Sequence, residues 1–344
     1  MAEIQHKIDF VVTWLDASDP EWQKQYDKYK GVTANGDTSA ARFRDWDLFK
    51  FWFRAVEKYA PWVNKVFLVT NGTFPKWINR DYPNLVLVKH DEYIPAELLP
   101  TFNSCTIELH MNKIKGLSEH FVYFNDDCYI NNSVTPEYYF VDGLPCDNNA
   151  ETLFNTTTYD PVDRFNIRLS MFTNVCVINR HFNRRKVWRQ SKKRWLGWHL
   201  GKTDLITSLF LIVKNRKQFV GFNWKHTEQP FLKSVFDEAW EKEPGMLSES
   251  CTRFREEVIL NPYFFRYWQF ASNRFHPVKQ GGSLKLRTVK GDVEAICTSL
   301  KDKKIKSLCI NDTPRCSDID FEEIKSVLHK AFMEKFPEKS SFEM

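Results

Sequence analysis

The chain has 344 residues, a mean hydropathy of −0.48 and a formal net charge of +5. This length permits one large or two ordinary domains, and so mild a charge fits a protein that handles phosphates or approaches an anionic membrane but does not indicate nucleic-acid binding. The eight cysteines form no C-x-x-C pair or zinc-spaced cluster, Met1–Lys7 lacks a signal-peptide core, and the apolar segment Leu205–Val213 is too short to span a bilayer. We therefore expect a cytoplasmic protein with reduced thiols.

The first predicted strand is Ile8–Trp14, a run of β-branched and aromatic residues. It is followed by Asp16 and then by Asp19 and Pro20. An acidic residue directly after the first strand of an α/β domain can meet a nucleotide ribose, a phosphate or a metal ion. Asp19 is interpreted as a helix cap ahead of Pro20, while the role of Asp16 stays open.

Arg42 and Arg44 lie just before a predicted helix that extends to Tyr59 and carries apolar residues at helical spacing. Two arginines at the amino end of a helix can clamp a phosphate, because the helix end adds partial positive charge. The alternative is a solvated surface pair without a ligand.

Further strands are predicted over Lys65–Asn71 and Leu85–Val88, and a helix over Ile107–Leu117 leads into the strand Phe121–Phe124. Four strands with helical stretches between them predict an α/β fold, with a Rossmann-like, mostly parallel sheet and helical insertions.

The strand Phe121–Phe124 stops abruptly on Asn125, Asp126 and Asp127. Ligands of open α/β sheets bind beyond the carboxyl ends of the strands, and adjacent carboxylates become tolerable when a cation neutralises them. Oxygen ligands of this kind suit Mg²⁺ or Mn²⁺. The alternative is a polar turn in which an aspartate caps the next segment.

Three later segments also have a characteristic pattern. Arg180–Trp198 interleaves basic residues with tryptophans, and such a helix can lie on an anionic membrane or hold a lipid pyrophosphate, although a solvated basic face is the alternative. Lys279–Asp292, with a Gly-Gly pair, predicts a surface hairpin. Leu308–Asp312 predicts a strand whose end, Asn311 and Asp312, repeats the amide-plus-acid pattern.

Together these motifs resemble the Stealth proteins, bacterial hexose-1-phosphate transferases of capsules and exopolysaccharides, which are distantly related to the animal N-acetylglucosamine-1-phosphotransferase of lysosomal enzymes. The resemblance covers most of the chain except roughly residues 140–220. The residues that carry it are Ile8–Asp16, then Arg42–Asp45, Ala60–Val63, Leu99–Ser104 and Asn125–Asp127, then His226 and Arg253–Arg255, and last Ile310–Asp312 with Phe336–Pro337 and Phe342–Glu343.

The resemblance implies a glycosyltransferase-A-like fold and an enzyme that transfers a sugar-1-phosphate from a UDP-sugar to a hydroxyl of a growing, lipid-linked polysaccharide, releasing UMP. It also implies Mg²⁺ or Mn²⁺ as cofactor and peripheral contact with the inner face of the plasma membrane. An ordinary metal-dependent glycosyltransferase that releases UDP is the first alternative, and a binding module without catalysis is the second.

The residue roles follow from the same resemblance. His226, or alternatively Asp16, is expected to take the acceptor proton, and Arg255 to hold the phosphate oxygens beside Asp127. The expected metal ligands are Asp126, Asp127, Asn311 and Asp312. The expected donor-binding residues are Trp14, Asp16, Arg42, Arg44, Asn103, Asn125 and Arg253.

A single catalytic domain is expected over residues 1–344. Within it, residues 1–140 form the nucleotide-sugar-binding part, residues 141–220 a variable insertion that faces the acceptor or the membrane, and residues 221–344 the remainder of the catalytic part.

Overall fold

The computed structural model describes residues 6–30, 44–152, 163–254, 260–279, 281–288, 290–313 and 316–344. The strands are β1 (Ile8–Thr13), β2 (Val66–Thr70), β3 (Leu85–Lys89), β4 (His120–Phe124), β5 (Cys128–Ile130), β6 (Phe140–Val141), β7 (Leu144–Asp147), β8 (Gln229–Leu232), β9 (His276–Pro277), β10 (Ser283–Arg287) and β11 (Ser307–Asn311). The helices are α1 (Pro20–Lys30), α2 (Phe49–Tyr59), α3 (Ser104–Leu109), α4 (Pro136–Tyr139), α5 (Asp163–His181), α6 (Arg184–Gln190), α7 (Lys192–Trp195), α8 (Lys202–Val213), α9 (Lys233–Lys242), α10 (Pro244–Ser250), α11 (Tyr263–Ala271), α12 (Lys290–Lys301) and α13 (Asp318–Lys335).

The central sheet has the strand order β3-β2-β1-β4-β8; β3, β2, β1 and β4 run parallel, and β8 runs antiparallel to β4. The prediction of an α/β fold with a Rossmann-like, mostly parallel sheet is confirmed. The strands β1 and β4 are buried on both faces, which explains why each is a continuous apolar run rather than an alternating one. Val12 pairs with Phe124, so β1 and β4 end side by side.

Helix α2 joins the sheet to the carboxyl-terminal part of the chain. Its Trp52 is fully buried and packs edge-on against Phe124 of β4, with ring centroids 5.4 Å apart. From the same helix, Arg54 donates to both carboxylate oxygens of Glu343, at 2.8 Å from Nε and 2.7 Å from Nη2. The first and last parts of the chain therefore share one core.

A smaller sheet with the order β10-β11-β5 adjoins the carboxyl end of β4, because β5 follows β4 after a short turn. The strand β10 pairs parallel with β11, and β11 pairs antiparallel with β5. The prediction of a surface hairpin over Lys279–Asp292 is therefore wrong. The hydrogen-bonding partner of β10 is a strand beyond α12, which a local turn pattern does not reveal.

The basic segment Arg180–Trp198 is divided among α5, α6 and α7 rather than forming one helix. Asn183 caps α6 by accepting a hydrogen bond from the Lys186 backbone N–H at 3.2 Å. Arg184 and Trp195, two of the residues that suggested a membrane-facing surface, are buried. The expectation of one exposed basic helix is therefore wrong, because the core takes up part of its side chains.

Candidate active site

The site forms where β4 ends. After Phe124, the Asn125–Asp127 turn leads directly into β5, and the pairing of β5 with β11 places Cys309 opposite Cys128. The Ile310 backbone N–H donates to the Asp127 carbonyl at 2.8 Å. Backbone pairing between distant parts of the chain therefore fixes the end of β11 beside the Asp126–Asp127 pair.

Asp127 is the meeting point of side chains from several segments. Its Oδ2 accepts hydrogen bonds from Asn311 Nδ2 at 3.1 Å and Cys309 Sγ at 3.4 Å, and its Oδ1 accepts from Cys128 Sγ at 3.2 Å. His226 Nε2 lies 3.8 Å from Oδ2. Desolvation alone would raise the Asp127 pKa, but His226, Asn311 and Cys128 together hold it below its ordinary value.

His226 is the basic partner of Asp127. Burial alone would lower the pKa of its imidazole, but the contacts with Asp127 and Cys309 outweigh burial and raise it to about 9. His226 lies just before β8, which is the neighbour of β4 in the sheet. The sheet therefore places this histidine beside the end of β4 on the side opposite to β1.

Asp126 is exposed, yet desolvation by the surrounding protein and then the charge of Asp127 raise its pKa to about 7. A divalent cation would favour the ionised form of Asp126, since it would neutralise the charge of both carboxylates. Asp127, His226 and Cys309 offer ligand atoms that all lie within 4.8 Å of one another. The arrangement is thus a possible metal site, in which the carboxylates suit Mg²⁺ or Mn²⁺ and the imidazole and thiol suit softer metals.

Asn311 and Asp312 differ in their placement. Asn311 contacts Asp127 directly, as described above. The Asp312 carboxylate is held by other donors: Trp46 Nε1 at 3.2 Å to Oδ2, and Thr288 Oγ1 at 2.8 Å to Oδ1. Asp312 therefore links β11 to the segment before α2.

Trp14, Asp16 and Asn125 lie at the neighbouring ends of β1 and β4. Trp14 stacks on Phe49 with ring centroids 5.8 Å apart. Asp16 Oδ1 accepts from the Ser18 N–H at 2.9 Å and hydroxyl at 2.6 Å, which closes the turn after β1.

Asn125 Oδ1 accepts from the Tyr123 hydroxyl at 2.7 Å, and that hydroxyl is 3.2 Å from Thr13 Oγ1. A hydrogen-bonded chain thus ties the end of β1 to the Asn125–Asp127 turn.

The side chains of Asn103 and Arg253 form hydrogen bonds with other parts of the protein. Asn103 has 0% exposure; its Oδ1 accepts from the Cys105 N–H at 3.1 Å, and its Nδ2 donates to Thr252 Oγ1 at 3.0 Å. Arg253 donates to the Leu99 and Pro100 carbonyls at 3.0 and 3.1 Å. In this structure the polar groups of both side chains bind the protein, and their expected role in holding the donor stays a prediction.

Arg44 is engaged as well: it donates to the Cys316 carbonyl at 2.8 Å and to Asp318 at 2.6 Å. Arg42 and Arg255 lie outside the described residues, so their expected roles stay predictions.

Sequence reasoning missed the two cysteines that contact Asp127. A usable signal existed for Cys309, because it stands two residues before Asn311 on a predicted strand, and residues at this spacing face the same side. Cys128 gave no such signal, since its position depends on how the turn after β4 bends.

The chain is similar to several known proteins. The family profile described as Stealth protein CR1, conserved region 1, matches residues 6–31, and Stealth protein CR2, conserved region 2, matches residues 42–146. A capsular polysaccharide phosphotransferase, WcwK of Streptococcus pneumoniae, is 38% identical over 98% of this chain and 99% of its own length. The receptor polysaccharide phosphotransferase WefC of Streptococcus oralis is 36% identical over 98% of this chain and 100% of its own.

A third relative is the exopolysaccharide phosphotransferase cps2G of Lactiplantibacillus plantarum, 36% identical over 98% of this chain and 96% of its own length. Among solved structures, the galactosyltransferase LgtC with donor and acceptor sugar analogues superposes with a TM-score of 0.40 and 8% identity, over 94% of this chain and 95% of its own.

Proposed function

The chain belongs to the Stealth family, and from this membership we propose that it transfers a hexose-1-phosphate from a UDP-sugar to a hydroxyl of a growing cell-surface polysaccharide. UMP would leave and a phosphodiester would form. That the protein is a transferase of phosphorus-containing groups follows from its relatives, which are phosphotransferases over nearly their whole length. The donor, the leaving group and the acceptor are the proposed parts.

The observation that carries this proposal is the convergence on Asp127. Side chains from the turn after β4, from β11 and from the segment before β8 contact one carboxylate. This convergence lies at the carboxyl end of a parallel strand, where ligands of open α/β sheets bind. A phosphoryl transfer needs positioning and charge stabilisation more than covalent chemistry, and such a cluster supplies both.

We assign Asp126 and Asp127 to an Mg²⁺ or Mn²⁺ ion, with Asn311 orienting Asp127. The fit rests on the two adjacent carboxylates at the carboxyl end of β4 and on the hydrogen bond that Asn311 donates to Asp127. Desolvation, and then the charge of Asp127, raises the pKa of Asp126 to about 7, and a bound cation would favour its ionised form. When bound, such an ion neutralises charge on the diphosphate oxygens. Asp312 would then act through Asn311 and β11 and not as a direct ligand.

His226 is assigned as the group that takes the proton of the acceptor hydroxyl, a role that requires its neutral form. A cation bound to Asp127 would favour that form, because it would cancel the carboxylate charge that helps to raise the His226 pKa. The acceptor oxygen forms a bond to the phosphorus next to the sugar, the bond from that phosphorus to UMP breaks, and UMP leaves with the electron pair. Asp127 orients the imidazole and stabilises it once it is protonated, since the side chains are 3.8 Å apart. Asp16 remains the alternative base.

The nucleotide is proposed to lie beyond β1, beside Trp14 and Asp16, with Asn125 facing the diphosphate. This placement follows the general rule for open α/β sheets and the hydrogen-bonded chain that ties Asn125 to β1. Arg255 and Arg42 are proposed to hold phosphate oxygens bidentately.

A lipid-linked acceptor and peripheral membrane contact are also proposed. The support is an apolar stripe on α8, in which Ile206, Leu209, Phe210 and Val213 are all exposed at helical spacing. Exposed Lys202, Lys214, Arg216 and Lys217 flank this stripe and complement anionic lipid. Among the described residues, no helix combines the length and apolar content needed to cross a bilayer.

The test is a donor screen with purified protein, Mg²⁺ and isolated polysaccharide acceptor, read out by chromatography of the released nucleotide and by phosphorus NMR of the product. The expected result is UMP with a new phosphodiester signal. Release of UDP with a phosphorus-free product would identify an ordinary glycosyltransferase instead. Anion binding without turnover on any donor would identify a binding module.

A further inference from the structure

A cleft of about 810 Å³ opens beside His226, which is one of its lining residues. Its walls come from the segment before β8, from the end of α4 and from β10; they include Tyr139, Trp224, Glu228 and Lys285. None of these residues took part in the site described above. His226 is the residue that the cleft and the Asp127 cluster share.

The sheet order places this cleft opposite the proposed nucleotide position. β1 is one neighbour of β4, and β8 is the other, with His226 and Glu228 just before β8. In phosphoryl transfer the attacking and leaving oxygens lie roughly in line through the phosphorus. If UMP leaves on the β1 side, the acceptor must approach from the β8 side, where the cleft is.

The small sheet places two basic residues of the cleft, Lys285 and Arg287, next to residues that contact Asp127. Lys285 pairs in register with Cys309, and Arg287 pairs with Asn311. Side chains that pair in register on neighbouring strands share a face of the sheet, roughly 5 Å apart. A ligand in the cleft therefore lies within one strand spacing of the residues that contact Asp127.

Trp224 supplies a flat apolar surface in this cleft. Its side chain is 50% exposed, and its Nε1 donates to the Tyr263 hydroxyl at 2.7 Å, which fixes the indole ring. The ring centroid lies 6.3 Å from that of His226. An exposed, immobilised indole favours the apolar face of a pyranose ring, and this one would hold the sugar's hydroxyl groups near the proposed base.

The charge balance favours an anionic ligand. Lys225, Lys279, Lys285 and Arg287 line the cleft, and within the described parts of the chain none of them forms a salt bridge. Of the acids in the walls, Asp147 is neutralised by Arg266 at 2.6 Å, the Asp292 carboxylate accepts from the Arg287 N–H, Glu228 is buried and Glu137 is exposed. Lys285 Nζ lies 5.4 Å from the centroid of the Trp224 ring, and this cation together with the other three would attract a phosphate group.

We propose that this cleft is the acceptor subsite, and that it takes a hexopyranose carrying a phosphate group, with the sugar on Trp224 and the phosphate near Lys285. The proposal rests on the proposed function, since it assumes a hydroxyl acceptor. Two kinds of acceptor carry a phosphate group on a hexose. One is a polysaccharide that already contains a phosphodiester, and the other is a sugar that a diphosphate joins to a lipid carrier.

Direct binding tests the cleft without turnover. Methyl hexopyranosides, plain and phosphorylated, are added to the full chain, and saturation-transfer NMR reads the contact of each sugar with the protein. Trp224→Ala should weaken binding about threefold to tenfold. Trp198→Ala, at a tryptophan that is 77% exposed and outside the cleft, should leave binding unchanged. Equal binding by both variants, or no sugar binding by the wild-type protein, would overturn the proposal.

A second variant tests the phosphate part at an exposed position, where folding is not at risk. Lys285→Ala should remove the preference for phosphorylated over plain sugars, whereas Lys303→Ala, an exposed control, should keep it. An unchanged preference in Lys285→Ala would refute the phosphate assignment. The source of the phosphate is identified by comparing two ligands in detergent, a glycosyl phosphodiester and a polyprenyl-diphosphoryl hexose. The ligand that binds more tightly carries the phosphate that the cleft recognises.

The two proposals can fail separately. UMP release from UDP-hexose without any acceptor tests the donor chemistry and does not need the cleft. Sugar binding that depends on Trp224 without UMP release would keep the cleft and reject the proposed function. UMP release with no Trp224-dependent sugar binding would keep the function and reject the cleft.

Discussion

Two regions of this molecule hold carboxylates within the protein in opposite ways. Near α6, Glu151 is paired with Arg184: Arg184 Nε donates at 2.8 Å and Nη2 at 2.6 Å, and both side chains are buried. After β4, Asp126 and Asp127 stand side by side, and among the described residues no lysine or arginine lies within salt-bridge distance of them. Glu151 thus has an arginine partner within the fold, whereas the basic partner of the Asp126–Asp127 pair is the histidine His226, 3.8 Å from Asp127. Perturbed carboxylates without a lysine or arginine partner are typical of ligand sites.

The substitution with the largest expected effect is Asp127→Asn, which tests the role of the carboxylates after β4. The change keeps the shape but removes the charge, so we expect turnover to fall by about 10³-fold. The free energy of unfolding should fall modestly, because the lowered pKa of Asp127 means that its partners stabilise the ionised carboxylate in the folded protein. Rates of UMP release and denaturant unfolding measure the two effects. Near-normal turnover would show that Asp127 has no catalytic role.

The converse change is Arg184→Met. It leaves Glu151 buried without a partner, so the free energy of unfolding should fall by about 3–5 kcal/mol. The double change Arg184→Met with Glu151→Leu should recover most of that loss, since no unpaired charge remains. Denaturant unfolding of both variants checks the prediction. A single variant as stable as the wild type would contradict the structural role of the pair.

A half-buried histidine, His226, and a buried one, His90, differ in the same way. His226 has a partner and a raised pKa, whereas burial of His90 lowers its pKa from 6.5 to about 4. Between these two values the unfolded chain binds more protons at His90, so stability falls as the pH falls. The loss between about pH 7 and pH 5 should be about 2 kcal/mol. His90→Gln should reduce the acid dependence of unfolding by that amount; an unchanged dependence would contradict the assignment.

The smallest expected effect concerns the apolar residues that the fold leaves exposed. The exposed stripe on α8 is apolar area that the fold does not bury. Phe210→Asp should weaken binding to anionic lipid vesicles roughly tenfold or more, measured by co-sedimentation. Glu249→Ala, at an exposed position outside the stripe, is the control. Equal sedimentation of Phe210→Asp and wild type would exclude α8 as the membrane contact.

The sequence predicted the local parts of this structure better than the long-range ones. Strand runs with helical stretches between them predicted a mostly parallel sheet, and the acids after β4 predicted the sheet edge where Asp127 contacts residues of other segments, because these signals are local. The hairpin prediction over Lys279–Asp292 failed because the partner of β10 is β11. Strand pairing across an intervening helix has no local signal.

The same limit applies to side chains. Asn103 and Arg253 belong to the motif blocks, yet the structure makes them partners of Thr252 and of the Leu99 and Pro100 carbonyls. A motif identifies residues that a family needs but does not separate those that hold the fold from those that face a ligand. The cleft beside His226 could not be predicted, since its walls come from several segments that are far apart along the chain.

The central claim is that the phosphorus next to the sugar moves with the sugar. The most direct measurement uses a UDP-hexose labelled at that phosphorus, incubated with the protein, Mg²⁺ and polysaccharide acceptor. The label should appear in the polysaccharide with wild-type protein and should stay in the nucleotide fraction with Asp127→Asn. Label that remains in UDP while the sugar reaches the polymer would contradict the account.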